Sequence, residues 1–114
     1  MSLHSEWLKE YHNKEIIENE HGFVTFWYPN EKTIYVEDLY VKPESRYKKI
    51  GVDLVTQAIE IGKQKGCTHT IGSVDPKAIG FQRNLNNMLV FGYKISHVHG
   101  SLIILIKEII WWVE

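Results

Sequence analysis

The hydrophobic pattern of this chain changes period once between Thr33 and Gly66, and that change constrains its fold more than any other feature. Thr33 to Val41 (TIYVEDLYV) is rich in aromatic and β-branched residues and reads as a strand. From Gly51 onward Leu54, Val55, Ala58, Ile61 and Gly62 form one stripe at helical spacing, while Asp53, Thr56, Gln57, Glu60, Lys63 and Gln64 occupy the other face. Lys63, Lys65 and Gly66 are C-terminal signals that should stop this helix. Cys67 to Val74 then returns to strand character. A strand, a helix and a second strand in succession require a crossover, so the two strands are expected to run parallel in one sheet with the helix packed on it.

The flanking segments fit around this unit. Leu3, Trp7, Leu8 and Tyr11 recur at helical spacing after Ser2 or Ser5 as N-cap, which predicts a short opening helix over Met1 to Tyr11. Glu15 to Glu20 and Gly22 to Tyr28 read as strands; with the turn Pro29-Asn30-Glu31-Lys32 and the strand Thr33 to Val41 they make an antiparallel meander. Asp75-Pro76 places an N-cap before a proline at the first helical position, predicting a second helix from Pro76 to about Phe91. Its apolar face is Ala78, Phe81, Leu85, Met88 and Leu89, and Gly92 ends it. Tyr93 to His99 and Leu102 to Ile110 form a hairpin about Gly100-Ser101, the second strand being almost wholly apolar and so buried on both faces or against a partner. Trp111 and Trp112 either close the core or form a subunit contact, which admits a homodimer through the C-terminal strand. The expected fold is α+β: a mixed, mostly antiparallel sheet with one parallel pair, flanked by helices. At 114 residues, without repeats or linkers, one domain is expected over residues 1–114.

Composition narrows the function. The formal net charge is −1, so no overall field attracts nucleic acid or an anionic membrane, and any anion site must be local. The single cysteine, Cys67, excludes an internal disulfide framework and suits a reducing compartment. The N-terminus lacks the basic and apolar regions of a signal peptide, and Leu102 to Val113 is too short and too interrupted by Lys107 and Glu108 to span a bilayer, so a cytoplasmic location is expected. His97 and His99 have the i, i+2 spacing of two metal ligands on a strand, but no third ligand accompanies them and no metal is expected.

The stretch that carries chemistry is Ile34 to Asp53, IYVEDLYVKPESRYKKIGVD. Lys42, Arg46, Lys48 and Lys49, opposed by Glu44 alone, lie between a buried strand and a helix N-terminus. The first helical amides lack intrahelical acceptors and the macrodipole is positive there, so backbone and cations would converge on a phosphate-sized anion. Gly51 lets the backbone approach closely. Val41-Lys42-Pro43, Arg46 and Ile50-Gly51 resemble the GNAT N-acetyltransferase pattern of a strand, V-x-P, then R/Q-x-x-G-x-G/A opening a helix, with wording closest to amine and polyamine acetyltransferases. The resemblance implies a site for acetyl-coenzyme A built from Leu39, Tyr40, Val41, Arg46, Tyr47, Lys48, Lys49, Ile50, Gly51 and Val52, its loop holding the pyrophosphate, and an acetyl transfer to a small-molecule or peptide amine by direct attack in a ternary complex. Two departures stand out: Lys49 replaces the first loop glycine, and Met88 occupies the place of the family's thiolate-protonating tyrosine, for which Tyr93, Tyr40 and Tyr47 are candidates without positional warrant, the alternative being a thiolate that leaves unassisted. A protein that keeps the fold but works by binding is the alternative reading.

Glu37 and Asp38 interrupt an otherwise apolar strand. Ile34 and Val36 share one parity and Leu39 and Val41 the other, which predicts a bulge at Glu37-Asp38 that parts this strand from its parallel neighbour. By the resemblance, backbone groups of Leu39 to Val41 would pair with the pantetheine arm, and Glu37 or Asp38 would bind the amine and help deprotonate it. A carboxylate in an apolar site is expected to titrate in a range useful to a general base.

Overall fold

The structure, a computed structural model, describes residues 13–46 and 48–109 together with Leu3, Glu6 and Lys9. Leu3, Glu6 and Lys9 have helical backbone; the rest of the opening helix expected over Met1 to Tyr11, and Trp111 and Trp112, lie outside the described residues.

The meander consists of β1 (Glu15–Asn19), β2 (Gly22–Asn30) and β3 (Thr33–Val41). Asn30 pairs with Thr33, so the turn between β2 and β3 is the two-residue Glu31-Lys32 rather than the four-residue one expected, and β2 runs on through Pro29. Pro29 is tolerated because it lies at the strand's end, where the register shifts between Trp27 and Asn30. The helix α1 (Ile50–Gln64) and strand β4 (His69–Val74) complete the crossover, and β4 pairs with β3 in parallel as expected. The sheet order is β1-β2-β3-β4-β6-β5, with β5 at Lys94–His99 and β6 at Leu102–Glu108. β6 is therefore an interior strand between β4 and β5, which accounts for its apolar run from Leu102 to Ile106.

The second helix, α2 (Phe81–Phe91), begins five residues later than the Asp75-Pro76 signal predicts. Asp75 Oδ1 accepts the Lys77 amide at 2.9 Å and its carbonyl accepts the Ala78 amide at 3.0 Å, so the side chain serves a local turn instead of a helix start. Gly80, at φ 82°, is the residue that opens α2.

Two clusters hold the layers together. Val24, Phe26, Ile34, Leu54, Ala58, Cys67 and Ile109 pack between α1 and the meander; Val74, Tyr93 and Leu105 pack under α2 with Phe81, Leu85 and Met88. Gly62 lets α1 sit directly on Ile34, since a Cβ there would lie 2.9 Å from Ile34 Cγ2. Among the described residues no helix is long and apolar enough to cross a membrane.

Candidate functional site

The site grows out of an irregularity in β3. Thr25 pairs with Asp38 and Phe26 with Val36, so Glu37 is an extra residue bulged out of the β2–β3 ladder. The bulge reverses the parity of everything after it. Ile34 and Val36 pack against the α1 cluster before it; beyond it Leu39 and Val41 return to the same helix, with Leu39 Cδ2 3.3 Å and Val41 Cγ2 3.7 Å from a Cβ built on Gly51. The parity switch read in the sequence is thus a real bulge.

The bulge also ends the contact with the parallel neighbour. β3 and β4 pair at Thr33↔His69, Ile34↔Thr70 and Tyr35↔Ile71, after which β3 continues to Val41 and β4 to Val74 without a shared ladder. Between them opens a slot, and the edge of β3 that faces it has unpaired backbone groups. Leu39, Tyr40 and Val52, large apolar residues around its mouth, are each close to half exposed.

Beyond Val41 the chain makes a 3₁₀ turn at Pro43–Ser45 and enters α1. The turn is fixed from below: Lys42 N–H donates to the His21 carbonyl at 2.8 Å, and buried Ser45 is hydrogen bonded through Oγ to His21 Nδ1 at 2.9 Å. Arg46 Nε–H donates to the Val41 carbonyl at 3.0 Å, which holds an otherwise exposed guanidinium beside the strand end. The N-cap of α1 is Lys49, with no side-chain cap hydrogen bond. The first ladder bond runs from the Asp53 amide to the Lys49 carbonyl, so the amides of Ile50, Gly51 and Val52 precede the ladder and point off the helix end.

Lys49, which stands where the resemblance places a glycine, has a φ of 63°, in the left-handed region that favours glycine. The loop has kept the backbone shape of a glycine and gained an ammonium group. Lys48 and Lys49 are both exposed, and Tyr47 lies outside the described residues.

The two carboxylates have separate surroundings. Asp38 Oδ2 accepts the Thr25 hydroxyl at 2.8 Å and the Asp38 amide donates back to Thr25 Oγ1 at 3.1 Å, leaving Oδ1 on an exposed residue. Glu37 forms an ion pair with Lys14, which precedes β1 and was not singled out by any pattern in the sequence. Tyr35, whose ring stacks on Trp27 at 5.6 Å, donates its hydroxyl to Ser73 Oγ at 2.6 Å across the start of the slot. Ser73 also escaped sequence reasoning, because no local signal relates positions 38 residues apart.

The tyrosines proposed as substitutes for the missing acid separate clearly. Tyr93 is buried, its hydroxyl bonded to Thr70 Oγ1 at 3.0 Å and its pKa raised by burial, so it serves the core. Tyr40 is exposed against Phe23, with ring centroids 5.8 Å apart. Met88 reaches from α2 to Gly72 of β4, where its Cε would be 2.5 Å from an added Cβ. Cys67 is buried in the α1 cluster, and burial pushes its thiol up. His97 and His99 stand on the exposed strand β5, and among the described residues no group of three or more His, Cys, Asp or Glu could hold a metal ion. A shallow depression lined by Tyr28, Glu31, Lys32, Lys65 and Cys67 lies at the opposite end of the β3–α1 unit, away from the basic loop.

Comparison with known proteins agrees with this geometry. A family profile described as the Acetyltransferase (GNAT) family matches residues 5–85. Thialysine N-epsilon-acetyltransferase of Bos taurus is 40% identical over 50 residues, covering 42% of this chain and 29% of that protein. The Sus scrofa protein of the same name is 43% identical over 37 residues, covering 32% and 22%. The matches thus span less than a third of the length of these curated relatives. Among solved structures, PaiA N-acetyltransferase from Thermoplasma acidophilum in complex with coenzyme A is similar with a TM-score of 0.67 at 25% identity, over 90% of this chain and 66% of that one. A GNAT family acetyltransferase from Elizabethkingia anophelis with acetyl-CoA bound has a TM-score of 0.72 at 16% identity, over 91% and 82%.

Proposed function

This chain belongs to the GNAT acetyltransferase family, and from that premise we propose that it binds acetyl-coenzyme A along the β3–β4 slot and transfers the acetyl group to a primary amine. The observation that carries the reading is the uncapped N-terminus of α1, whose free amides open beside Arg46, Lys48 and Lys49 at the mouth of a parted pair of strands. A diphosphate meets the need of that helix end: it would accept from the amides of Ile50, Gly51 and Val52 while the flanking cations neutralise it. Gly51 contributes by letting the start of α1 sit close on β3, where an added Cβ would lie 3.3 Å from Leu39 Cδ2 and 3.7 Å from Val41 Cγ2. Where β3 has parted from β4, the backbone at Leu39 and Tyr40 would supply hydrogen-bonding groups for an amide-bearing arm laid in the slot, while the Val41 carbonyl is already held by Arg46.

A thioester supplies an acyl group already activated toward nitrogen, so the protein has two tasks, to orient the amine and to remove its proton. Asp38 is suited to both, because Thr25 fixes one carboxylate oxygen and leaves the other exposed. Glu37 contributes negative charge beside it; Lys14, itself a primary alkylammonium resting on Glu37, illustrates the kind of group this carboxylate receives. The thiolate leaves without a tyrosine acid at position 88, which its low basicity permits.

Calorimetric titration with coenzyme A, followed by thiol release from acetyl-coenzyme A over a panel of primary amines, tests this. Saturable binding with turnover on at least one amine is expected; no heat and no thermal stabilisation at millimolar coenzyme A would defeat the proposal. A second reading rests on Met88 seated on Gly72 and on the burial of Tyr93: a GNAT-fold module that binds the cofactor without using it. Binding with no turnover across the whole panel favours that one.

A further inference from the structure

The slot between β3 and β4 is blocked at its inner end on both faces of the sheet. Tyr35 belongs to the last register pair, yet its hydroxyl reaches forward to Ser73, two residues beyond its ladder partner Ile71. The bridge therefore spans a gap in which the backbones no longer pair. Its geometry is firm, since the 2.6 Å hydrogen bond fixes one end and the Trp27 stack fixes the ring. Side chains alternate along β4, so Gly72 faces opposite to Ser73, toward α2. There Met88 fills the space a side chain at position 72 would take, and the Val36 carbonyl lies 3.7 Å from the same point. The strip where the two strands no longer pair runs from the basic loop back along β3 and ends between a thioether on one side and a phenol–hydroxyl bridge on the other. From Val41 to the level of Ser73 it is roughly 10–13 Å long, at about 3.3 Å per strand residue.

Resting on the cofactor site proposed above, we propose that the Tyr35–Ser73 bridge, opposed by Met88, is the stop that sets acyl-chain length. The site takes acetyl and turns away longer straight chains, because added carbons must enter space held by the bridge or by the Met88 thioether. Neither wall is backbone, so either is removable by substitution. The Met88 side that loses a tyrosine acid gains a polarisable, adaptable filler, which makes it the softer wall.

The test reads binding alone. Dissociation constants for coenzyme A, acetyl-, butyryl- and hexanoyl-coenzyme A are measured by calorimetry for the wild type, Met88→Ala, Ser73→Gly and Tyr35→Leu. The wild type should bind hexanoyl- at least tenfold more weakly than acetyl-coenzyme A. Met88→Ala and at least one bridge variant should remove that penalty, each methylene newly buried tightening binding by about fourfold. Affinity for coenzyme A itself should stay within about twofold, which also certifies that each variant folds, and Ser73→Gly covers the case in which Tyr35→Leu does not. If coenzyme A binds and the hexanoyl-to-acetyl ratio is the same in wild type and all folded variants, the stop is refuted while the cofactor site stands. If coenzyme A fails to bind the wild type, both fall together.

Discussion

The left-handed backbone of Lys49 allows the sharpest test, because two substitutions separate its charge from its conformation. Lys49→Ala and Lys49→Gly both remove the ammonium, but only alanine keeps a Cβ at φ 63°. A Cβ in that region costs about 1–2 kcal/mol in the folded state. Glycine gives back about 0.4–1 kcal/mol through the larger entropy of its unfolded chain. The glycine variant should therefore be more stable than the alanine variant by about 0.8 kcal/mol, or roughly 3–5 °C in Tm for a domain of this size. The helix end adds in the same direction, since glycine is a better N-cap than alanine. Affinity for coenzyme A should fall about two- to fivefold in both variants, the worth of one exposed ion pair between the ammonium and the diphosphate. Thermal and urea unfolding measure the first difference, calorimetry the second. An alanine variant as stable as the glycine variant would refute the left-handed turn, and with it the view that position 49 keeps the shape of the family's glycine.

Three further expectations follow from other parts of the structure. Removing the ammonium that occupies Glu37, in Lys14→Met, should lower KM for a cationic amine about two- to fivefold and Glu37→Gln should raise it, on the scale of a partly exposed ion pair; steady-state kinetics showing the same KM in both would oppose the role given to Glu37. Gly62→Ala gains about 1 kcal/mol of helix propensity but drives a methyl to 2.9–3.1 Å from three Ile34 carbons, an overpacking cost of about 1–3 kcal/mol, so denaturant titration should show a net loss near ~1 kcal/mol and a stabilised variant would contradict the close packing of α1. The Tyr28 hydroxyl is pushed up to about 12 by burial and then by neighbouring Glu15, against an ordinary 10.0. The unfolded chain releases this proton first, so the stability held by the neutral phenol is complete below about pH 10 and is lost as pH rises toward 12; Tyr28→Phe should flatten that part of the stability profile, and identical alkaline curves would argue against it.

Several of these features were legible in the sequence and several could not have been. The crossover was legible because the change of period at Gly51 is strong and both flanking strands are long enough to read, and the bulge because alternation of Ile34, Val36, Leu39 and Val41 cannot serve one helix without it. The start of α2 misled because Asp75 fits both a helix cap and a local turn, and the turn won once Gly80 offered a later opening. The conformation of Lys49 was hidden because a lysine in a sequence does not announce positive φ; it is imposed by the strand end and the helix it joins. Tyr35–Ser73 and Lys14–Glu37 arise from register across separate strands and segments, which no local pattern encodes.

The shortness of the β3–β4 ladder has a mechanical consequence. The sheet is in effect two antiparallel triplets, β1-β2-β3 and β4-β6-β5, sewn along a seam of three residue pairs. The weakest joint of the molecule thus coincides with the place where the thioester would lie, and a ligand touching both triplets acts as a fastener. At a hundredfold excess over Kd it adds about 2.7 kcal/mol against any opening that destroys the site. Amides donated across that seam, that of His69 to the Lys32 carbonyl at 3.1 Å among them, are where slowed hydrogen exchange should register the fastening first.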